Sequence, residues 1–435
     1  MRLTRTQVIL AGITLLVVVV LVLVFTGVIP GLRPSNPGGL LYSGEIIVWG
    51  VYDSERDIQD TLINDFLISF PNVQVNYVAF SPSTYESELI DALAAGRGPD
   101  VFMVHNSWLP KHKDKMMPIP AEEMPMSQVR SLFPEVVEKD LTYGGQLYAL
   151  PLYIDSLVMF YNRPMLDRAG IASAPKTWEE LIEIIPKLRQ LDKSGRIDTA
   201  AVAVGGSNRN IDRGSDLLAQ IMLQYGVDMT NGNYAGFDDA KGEAAVGFYT
   251  NFAKPSSPAY TWDLSFLNSI DAFTQERAAI VFNYAYQIPT IEAKNPFLDF
   301  GIASMVQFKE AIPVNYANYW ALAVSNTSQN ANTAWGFVFS STLNEEVSNH
   351  YLATVRRPGA LRQLIGQTST RTDALGVFSR QALTAKSWRQ IDTAKVDTAF
   401  GQMVESILQG QLTIKAALRQ AGEKVTALLS RYPIQ

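Results

Sequence analysis

The stretch GGQLYALPLYIDSLVMFYNRPMLDRAG, residues 144–170, decides between two kinds of fold. It holds two apolar runs, Leu147–Pro151 and Leu157–Tyr161, with the length and composition of β-strands. Asp155 lies between these runs. A carboxylate at this place has two interpretations: a surface turn, or a chain that crosses between two lobes and turns a polar side chain toward a ligand.

Chain length and charge narrow the class of protein. At 435 residues the chain is too long for one ordinary core, which favours two or more lobes. The residues are 47% hydrophobic and 18% charged, as in a globular protein with an additional apolar segment. The formal net charge is -6 and no basic stripe is present, so we expect no nucleic-acid partner.

Residue types also limit the chemistry of the chain. It has no cysteine, which excludes disulfides, thiolate metal sites, a cysteine nucleophile and a lipidated cysteine. Its three histidines, His105, His112 and His350, form no metal-binding motif. We therefore predict no metal and no cofactor. No nucleophile motif such as GxSxG occurs, so no catalytic residue is predicted.

The N-terminal segment predicts a membrane anchor. Val8–Ile29 is a run of 22 residues without charge, and as a helix it would span roughly 33 Å. Arg2 and Arg5 precede it, which predicts one pass through the cell membrane with a cytoplasmic N-terminus and an extracytoplasmic remainder. A cleaved signal peptide is the alternative, but no Ala-x-Ala site follows. We expect an anchor over residues 1–29 and a flexible linker over residues 30–43, rich in proline and glycine.

The exported part predicts an α/β fold. Three strands, Glu45–Gly50, Val73–Phe80 and Asp100–Val104, alternate with helical patterns, which indicates a parallel sheet with right-handed crossovers. Ligands of such sheets bind beyond the carboxyl ends of the strands. The polar and aromatic residues that follow the first and third strands are therefore candidate ligand-binding residues: Tyr52, Asp53, Asn106 and Trp108.

A second lobe follows in the chain. Lys176–Ile185 has a capping box and a helical apolar pattern that points Trp178 into a core. Trp262 has no structural pattern around it, so it is a candidate platform for stacking on a ligand. Arg209 and Arg213 lie in a polar loop after a predicted strand, where an arginine pair could hold an anion.

Several segments resemble one family in the order in which that family has them. The chain contains ELIDALAAGRGPDVFMV, the 144–170 stretch, PKTWEEL, FTQERAAIVFNYAY, YWALAVSNTSQNANTAWGFVFSSTL and a closing GQLTIKAALRQAGEKVTALL. Together they resemble family 1 of the extracellular solute-binding proteins of ABC importers, the carbohydrate-type family that includes maltose-binding protein. Glu276 departs from the pattern, since the family usually has glycine there.

This resemblance implies a two-lobe periplasmic-binding-protein-like fold with hinge strands. Ligand would bind in the cleft between the lobes, the hinge would close, and the solute would pass to ABC permease subunits. A saccharide is the expected solute, and a monomer is the expected state. We place lobe one at residues 44–152 and 287–344, and lobe two at residues 153–286 and 345–435.

The resemblance also implies further site residues. Asp155 and the nearby Tyr153 would lie at the cleft wall, although a hinge carboxylate that caps backbone N–H groups is the alternative for Asp155. The remaining candidates fall on segments that match cleft or loop regions of the family: Asn283, Tyr286, Tyr319, Trp320 and Arg356.

Two other functions stay open. A sensor ectodomain would bind a solute and signal, but the predicted cytoplasmic part has only about seven residues, which favours transport. An exported enzyme acting on glycans could use Asp53 with Asp155, but nothing in their spacing supports this.

Overall fold

A computed structural model describes residues 42–433. Its strands are short and are distributed along the whole chain. They are β1 (Gly44–Val51), β2 (Val73–Phe80), β3 (Val101–His105), β4 (Thr142–Tyr143), β5 (Gln146–Leu147), β6 (Leu150–Pro151), β7 (Asp155–Ser156), β8 (Val158–Asn162), β9 (Gln190–Leu191), β10 (Ile197–Val202), β11 (Thr230–Asn231), β12 (Tyr234–Ala235), β13 (Ala278–Asn283), β14 (Phe300–Ala303), β15 (Asn315–Asn318), β16 (Trp320–Val324) and β17 (Ala385–Lys386).

Helices connect these strands and cover the sheets. The first two are joined by a π-helical turn over Gln59–Ile63. The α-helices are α1 (Glu55–Ile58), α2 (Asn64–Ser69), α3 (Tyr85–Ala94), α4 (Leu109–His112), α5 (Met126–Leu132), α6 (Glu135–Leu141), α7 (Arg163–Arg168), α8 (Trp178–Leu188), α9 (Gly214–Gln224), α10 (Ala240–Asn251), α11 (Ser269–Thr274), α12 (Ile288–Lys294), α13 (Ala331–Leu343), α14 (Glu345–Val355), α15 (Arg362–Ser369), α16 (Ala374–Ala382), α17 (Thr393–Leu408) and α18 (Ile414–Leu429).

The first lobe is built on a five-stranded sheet in the order β2-β1-β3-β16-β6. β1 pairs in parallel with both β2 and β3, as the alternation of strands and helices predicts, and β16 runs antiparallel to β3. Val101 to Val104 of β3 are buried because helices cover both faces of the sheet. This arrangement brings the ends of β1 and β3 and the start of β16 to one edge.

The second lobe has its own five-stranded sheet in the order β14-β8-β13-β10-β9. β13 is parallel to β10 and antiparallel to β8. Trp178 is fully buried in this lobe, where its indole Nε1 donates to Gln224 Oε1 at 2.8 Å, so its prediction as a core residue is confirmed. The two lobes therefore have separate cores and separate sheets.

Three short strands form the connection between the lobes. β7, β15 and β17 pair in the order β17-β15-β7, with Asn318 opposite Asp155. In the chain, β7 directly follows β6 of the first sheet and directly precedes β8 of the second. The segment around Asp155 is therefore a crossing between two lobes and not a surface turn.

The predicted lobe boundaries need correction at two places. Residues 287–303 were expected in lobe one, but β14 pairs with β8 of the second sheet. Residues 345–365 were expected in lobe two, but Val347, Tyr351 and Ile365 pack into the first core. Strand pairing and helix docking join residues far apart in the chain, which a local pattern does not specify.

The predicted anchor over residues 1–29 lies outside the described residues, and so does nearly all of the predicted linker over residues 30–43. Within residues 42–433, no helix combines the length and the apolar character needed to cross a membrane. In the same part of the chain, no group of three or more His, Asp or Glu side chains is placed to hold a metal ion.

Candidate ligand-binding cleft

Aromatic side chains meet where the two lobes face each other. β16 pairs with β3 so that Trp320 lies opposite His105, and this register places Trp320 at the edge where β1 and β3 end. The ring centroid of Trp320 is 5.1 Å from that of Trp108 and 6.0 Å from that of Tyr52. Lobe one thus supplies three aromatic residues to one surface of the cleft.

Lobe two contributes the opposite part of this cluster. The Tyr286 ring lies 5.1 Å from the Tyr52 ring and stacks at 5.9 Å on the Tyr284 ring. Arg213 Nε donates a hydrogen bond to the Tyr286 hydroxyl at 2.7 Å. We call Tyr52, Trp108, Trp320, Tyr284 and Tyr286 the interlobe aromatic cluster.

Two residues at the cleft have left-handed backbone conformations. Tyr52 has a φ of 67° and Arg213 has a φ of 61°. A bulky residue with positive φ is uncommon, and such strain costs about 1–3 kcal/mol and occurs mostly at functional sites. One strained residue comes from each lobe, and both contact Tyr286.

Asp53 and Tyr153 belong to a buried group within lobe one. Arg357 Nη2 lies 2.8 Å from Asp53 Oδ1, and the Tyr351 hydroxyl donates to Asp53 Oδ2 at 2.7 Å. The Arg357 guanidinium lies 4.5 Å above the ring of Tyr153. Both partners of the ion pair are about 4% exposed. Asp53 and the ring face of Tyr153 are therefore occupied by Arg357, because a buried arginine requires a carboxylate partner, although Tyr153 remains close enough to Tyr52 of the cluster to interact with it electrostatically.

Asp155 binds backbone N–H groups. Its Oδ1 accepts from Ser156 N and its Oδ2 from Ala285 N, both at 2.8 Å. Burial raises the pKa of Asp155 to about 7, although the two backbone hydrogen bonds act in the opposite direction. The contacts fit the capping alternative, in which Asp155 joins the crossing strand to the lobe-two segment that carries Tyr286.

Asn106 and Tyr319 hydrogen-bond to a carboxylate that sequence reasoning missed. Asn106 Nδ2 donates to Asp140 at 2.8 Å, the Tyr319 hydroxyl donates at 2.9 Å, and Ser387 also donates. Burial raises the pKa of Asp140 to about 6. Asp140 lies at the end of helix α6, where no local pattern distinguishes it from a solvated acid.

A cavity of about 550 Å³ lies beside Asp140. Residues of both lobes line it, among them Asn106, Ser107, Asp140, Ser387 and Trp388. Its lining includes Ser107, the residue before Trp108, but none of the five rings of the aromatic cluster. This volume is within the usual range of small-molecule sites.

The other predicted site residues do not form one site. Trp262 is fully buried in the second lobe, with its ring 5.0 Å from that of Phe266, so it is a core residue. Arg356 is exposed and forms a two-point ion pair with Glu292, at 2.7 and 3.0 Å. Asn283 stays near the cleft, where its Nδ2 donates to Asp212 at 2.8 Å.

The structure thus brings together a smaller set than the sequence predicted. Four predicted residues form or directly support the cluster: Tyr52, Trp108, Tyr286 and Trp320. His105 joins them, with its ring 5.3 Å from Trp320, and burial lowers its pKa to about 4, so it is neutral at pH 7. From the sequence, Arg213 was considered only together with Arg209, as a pair that could hold an anion, and Asp212 was not among the candidate ligand-binding residues.

Comparison with known proteins agrees with this architecture. A family model described as bacterial extracellular solute-binding protein matches residues 52–342. A maltotriose-binding protein of Pyrococcus abyssi is 26% identical over 323 residues, which cover 70% of this chain and 64% of that protein. This chain therefore spans slightly less than two thirds of the length of that relative.

Solved structures show the same fold at lower identity. A cyclic alpha-maltosyl-1,6-maltose binding protein from Arthrobacter globiformis has a TM-score of 0.74 at 18% identity, over 89% of this chain and 100% of that one. An ABC transporter solute binding protein from Thermotoga lettingae, bound with alpha-D-tagatose, has a TM-score of 0.72 at 22% identity, over 89% and 100%. The matched model covers more than half of this chain, which belongs to the family of bacterial extracellular solute-binding proteins.

Proposed function

We propose that this protein captures a saccharide in the cleft between its lobes, closes around it by bending at β7, β15 and β17, and delivers it to an ABC permease without chemical change. The observation that carries the proposal is the interlobe aromatic cluster. Tyr52 and Trp320 come from one lobe and Tyr286 from the other; Tyr52 and Tyr286 follow the carboxyl ends of β1 and β13, and Trp320 begins the antiparallel strand β16. Aromatic rings stack on the apolar faces of sugar rings.

Polar groups beside the cluster support a ligand rich in hydroxyl groups. Arg213 offers donors and Asp212 offers an acceptor. The cavity of about 550 Å³ beside Asp140 offers further room between the lobes for an oligosaccharide. The names of the relatives, which include a maltotriose-binding and a cyclic alpha-maltosyl-1,6-maltose binding protein, point in the same direction.

Contacts that cross the cleft fit closure by hinge bending. Ser107 Oγ lies 3.1 Å from Thr393 Oγ1, and Lys111 Nζ lies 3.9 Å from Asp392 Oδ2. Each pair joins a loop or helix after β3 to the start of α17. Opening the hinge would separate these pairs, whereas the strands within each sheet would stay paired.

The N-terminal segment completes the proposal. Family membership favours an extracytoplasmic domain, and we propose that residues 1–29 anchor it to the membrane. Cell fractionation tests this: the full-length chain should remain in the membrane fraction after a high-salt wash. Recovery of an N-terminally shortened chain in the soluble fraction would show that residues 1–29 are a cleaved signal peptide.

A thermal-shift screen of the full-length chain in detergent tests the ligand class. A ligand at 100 times its dissociation constant adds about 2.7 kcal/mol to the free energy of unfolding. At roughly 2–4 °C per kcal/mol, the midpoint should rise by roughly 5–10 °C. The panel should contain sugars, oligosaccharides, polyols, amino acids, polyamines and phosphate. A rise confined to saccharides is the expected result, and a flat response to every saccharide would contradict the proposal.

A further inference from the structure

Arg213 occupies a position in the cleft that its backbone makes unfavourable. It precedes helix α9 with a φ of 61°, a conformation that glycine adopts without penalty. An arginine at such a position costs stability, and strained residues of this kind concentrate at binding sites. Its side chain is therefore the feature to explain.

The guanidinium of Arg213 is only partly used within the protein. Its Nε donates to the Tyr286 hydroxyl, and its charge lies 5.4 Å from the Tyr286 ring centroid and 5.8 Å from that of Tyr284. Across the described part of the chain, no carboxylate oxygen forms an ion pair with it within 4.0 Å, and its two terminal NH₂ groups have no hydrogen-bond acceptor. A guanidinium carries five N–H donors in a planar fork, so four of them remain for a ligand.

Asp212 places an acceptor beside this fork. One of its carboxylate oxygens accepts from Asn283 Nδ2 at 2.8 Å, and the other has no hydrogen-bond partner among residues 42–433. Asp212, Arg213 and Tyr286 line one cavity of about 370 Å³ on the lobe-two side of the cleft. The remaining charges of that cavity, Lys294 and Asp271, pair with each other at 2.7 Å.

The surrounding charges disfavour an anionic ligand. The carboxyl groups of Asp212, Asp216 and Asp397 all act electrostatically on Arg213. The Tyr284 hydroxyl donates to Asp216, which is buried. A ligand carboxylate at the fork would meet the carboxylate of Asp212, which lines the same cavity, whereas a pair of adjacent hydroxyls would accept from the fork and donate to Asp212.

We propose that Arg213 determines the specificity of the cleft: its terminal NH₂ groups bind two adjacent hydroxyl oxygens of the solute, Asp212 accepts a hydrogen bond from one of these hydroxyls, and the solute is a neutral saccharide and not a uronate. This inference rests on the proposed function and extends it to the ligand class. Binding two adjacent hydroxyls in this way requires the geometry of an arginine, and not only a positive charge, because a lysine cannot donate two parallel hydrogen bonds.

Titration calorimetry on the full-length chain tests the proposal. The probes are maltotriose, cellotriose and mannotriose as neutral saccharides and trigalacturonate as the acidic one. Arg213→Lys keeps the charge near Asp216, so its unfolding midpoint should stay close to that of the unsubstituted chain. Its affinity for the neutral saccharide that binds should nevertheless fall at least about tenfold, because charge-assisted hydrogen bonds are lost. Asp212→Asn should also weaken binding.

Arg196→Gln is the matched control, because Arg196 is an exposed arginine of the same lobe whose Nε lies 3.2 Å from Asp192 Oδ2; its affinity should stay within about twofold. Three results would overturn the inference. If Arg213→Lys binds as tightly as the unsubstituted chain, the fork plays no part, although the proposed function stands. If trigalacturonate binds more tightly than every neutral probe, the ligand class is wrong. If the unsubstituted chain binds no saccharide, both this inference and the proposed function fall.

Discussion

The buried ion pair of Asp53 and Arg357 makes a sharp stability prediction. Arg357 is 4% exposed, and its Nη2 lies 2.8 Å from Asp53 Oδ1. Asp53→Asn keeps the shape of the side chain but leaves the guanidinium buried without a counter-charge. Tyr351, which donates to the same carboxylate, also loses its charged acceptor.

The size of the effect follows from this geometry. Two unit charges 2.8 Å apart attract by about 6 kcal/mol at an effective dielectric constant of 20, and desolvation offsets part of that attraction. Removing one partner of a buried pair typically costs about 3–5 kcal/mol, because the other charge stays buried. At roughly 2–4 °C per kcal/mol, the unfolding midpoint of lobe one should fall by roughly 6–20 °C.

Denaturant and thermal unfolding of three variants, beside the unsubstituted chain, provide the assay. Asp53→Asn should be strongly destabilised, and the double variant Asp53→Asn with Arg357→Met should recover much of the loss, because it removes the unpaired charge and keeps an apolar stem against Tyr153. Asp60→Asn is the control: it breaks the exposed pair with Arg56, at 3.4 Å, which is worth at most about 1 kcal/mol. A loss below about 1 kcal/mol for Asp53→Asn would refute the reasoning.

Three further predictions concern the cleft and the second core. Tyr286→Ala should weaken saccharide binding at least about tenfold, measured by calorimetry, because a stacking surface is lost; unchanged affinity would remove the ring from the site. Trp262→Ala should instead cost about 3–5 kcal/mol of unfolding free energy, since Trp262 is fully buried, and a small loss would contradict its core position. The folded pKa of His105 is lowered to about 4, so as pH falls from about 6.5 to about 4 the unfolded chain takes up a proton before the folded chain does. The unsubstituted chain should therefore lose stability over this range, by up to about 1.4 kcal/mol per unit of pKa difference. The His105→Asn variant lacks this group and should become more stable relative to the unsubstituted chain as pH falls. A stability difference that does not change with pH would contradict that assignment.

Local patterns in the sequence were sufficient for the elements that build the lobes. The alternation of strands and helices over residues 45–104 predicts the parallel pairing of β1 with β2 and β3, which the structure has. The capping box before Trp178 is also present, with Thr177 Oγ1 accepting from Glu180 N at 3.2 Å. Both features depend on neighbours within a few residues or on a regular period, which a single sequence contains.

The roles of the polar site residues depended on partners far away in the chain. Asp53 follows a strand end as a ligand-binding residue would, but its partners Tyr351 and Arg357 are 298 and 304 residues away. The backbone partner of Asp155 in lobe two is 130 residues away. Exposure decides whether a carboxylate faces a ligand or a buried cation, and exposure follows from the assembled lobes. Trp262 was misassigned for the same reason.

The three crossing strands have a consequence for how the molecule behaves when it is cut. β7, β15 and β17 come from three separate parts of the chain, near residues 155, 316 and 385, yet they lie side by side. A protease that cleaves one of them would leave two covalent links between the lobes. The nicked protein would still migrate as one particle under native conditions and separate into fragments only after denaturation.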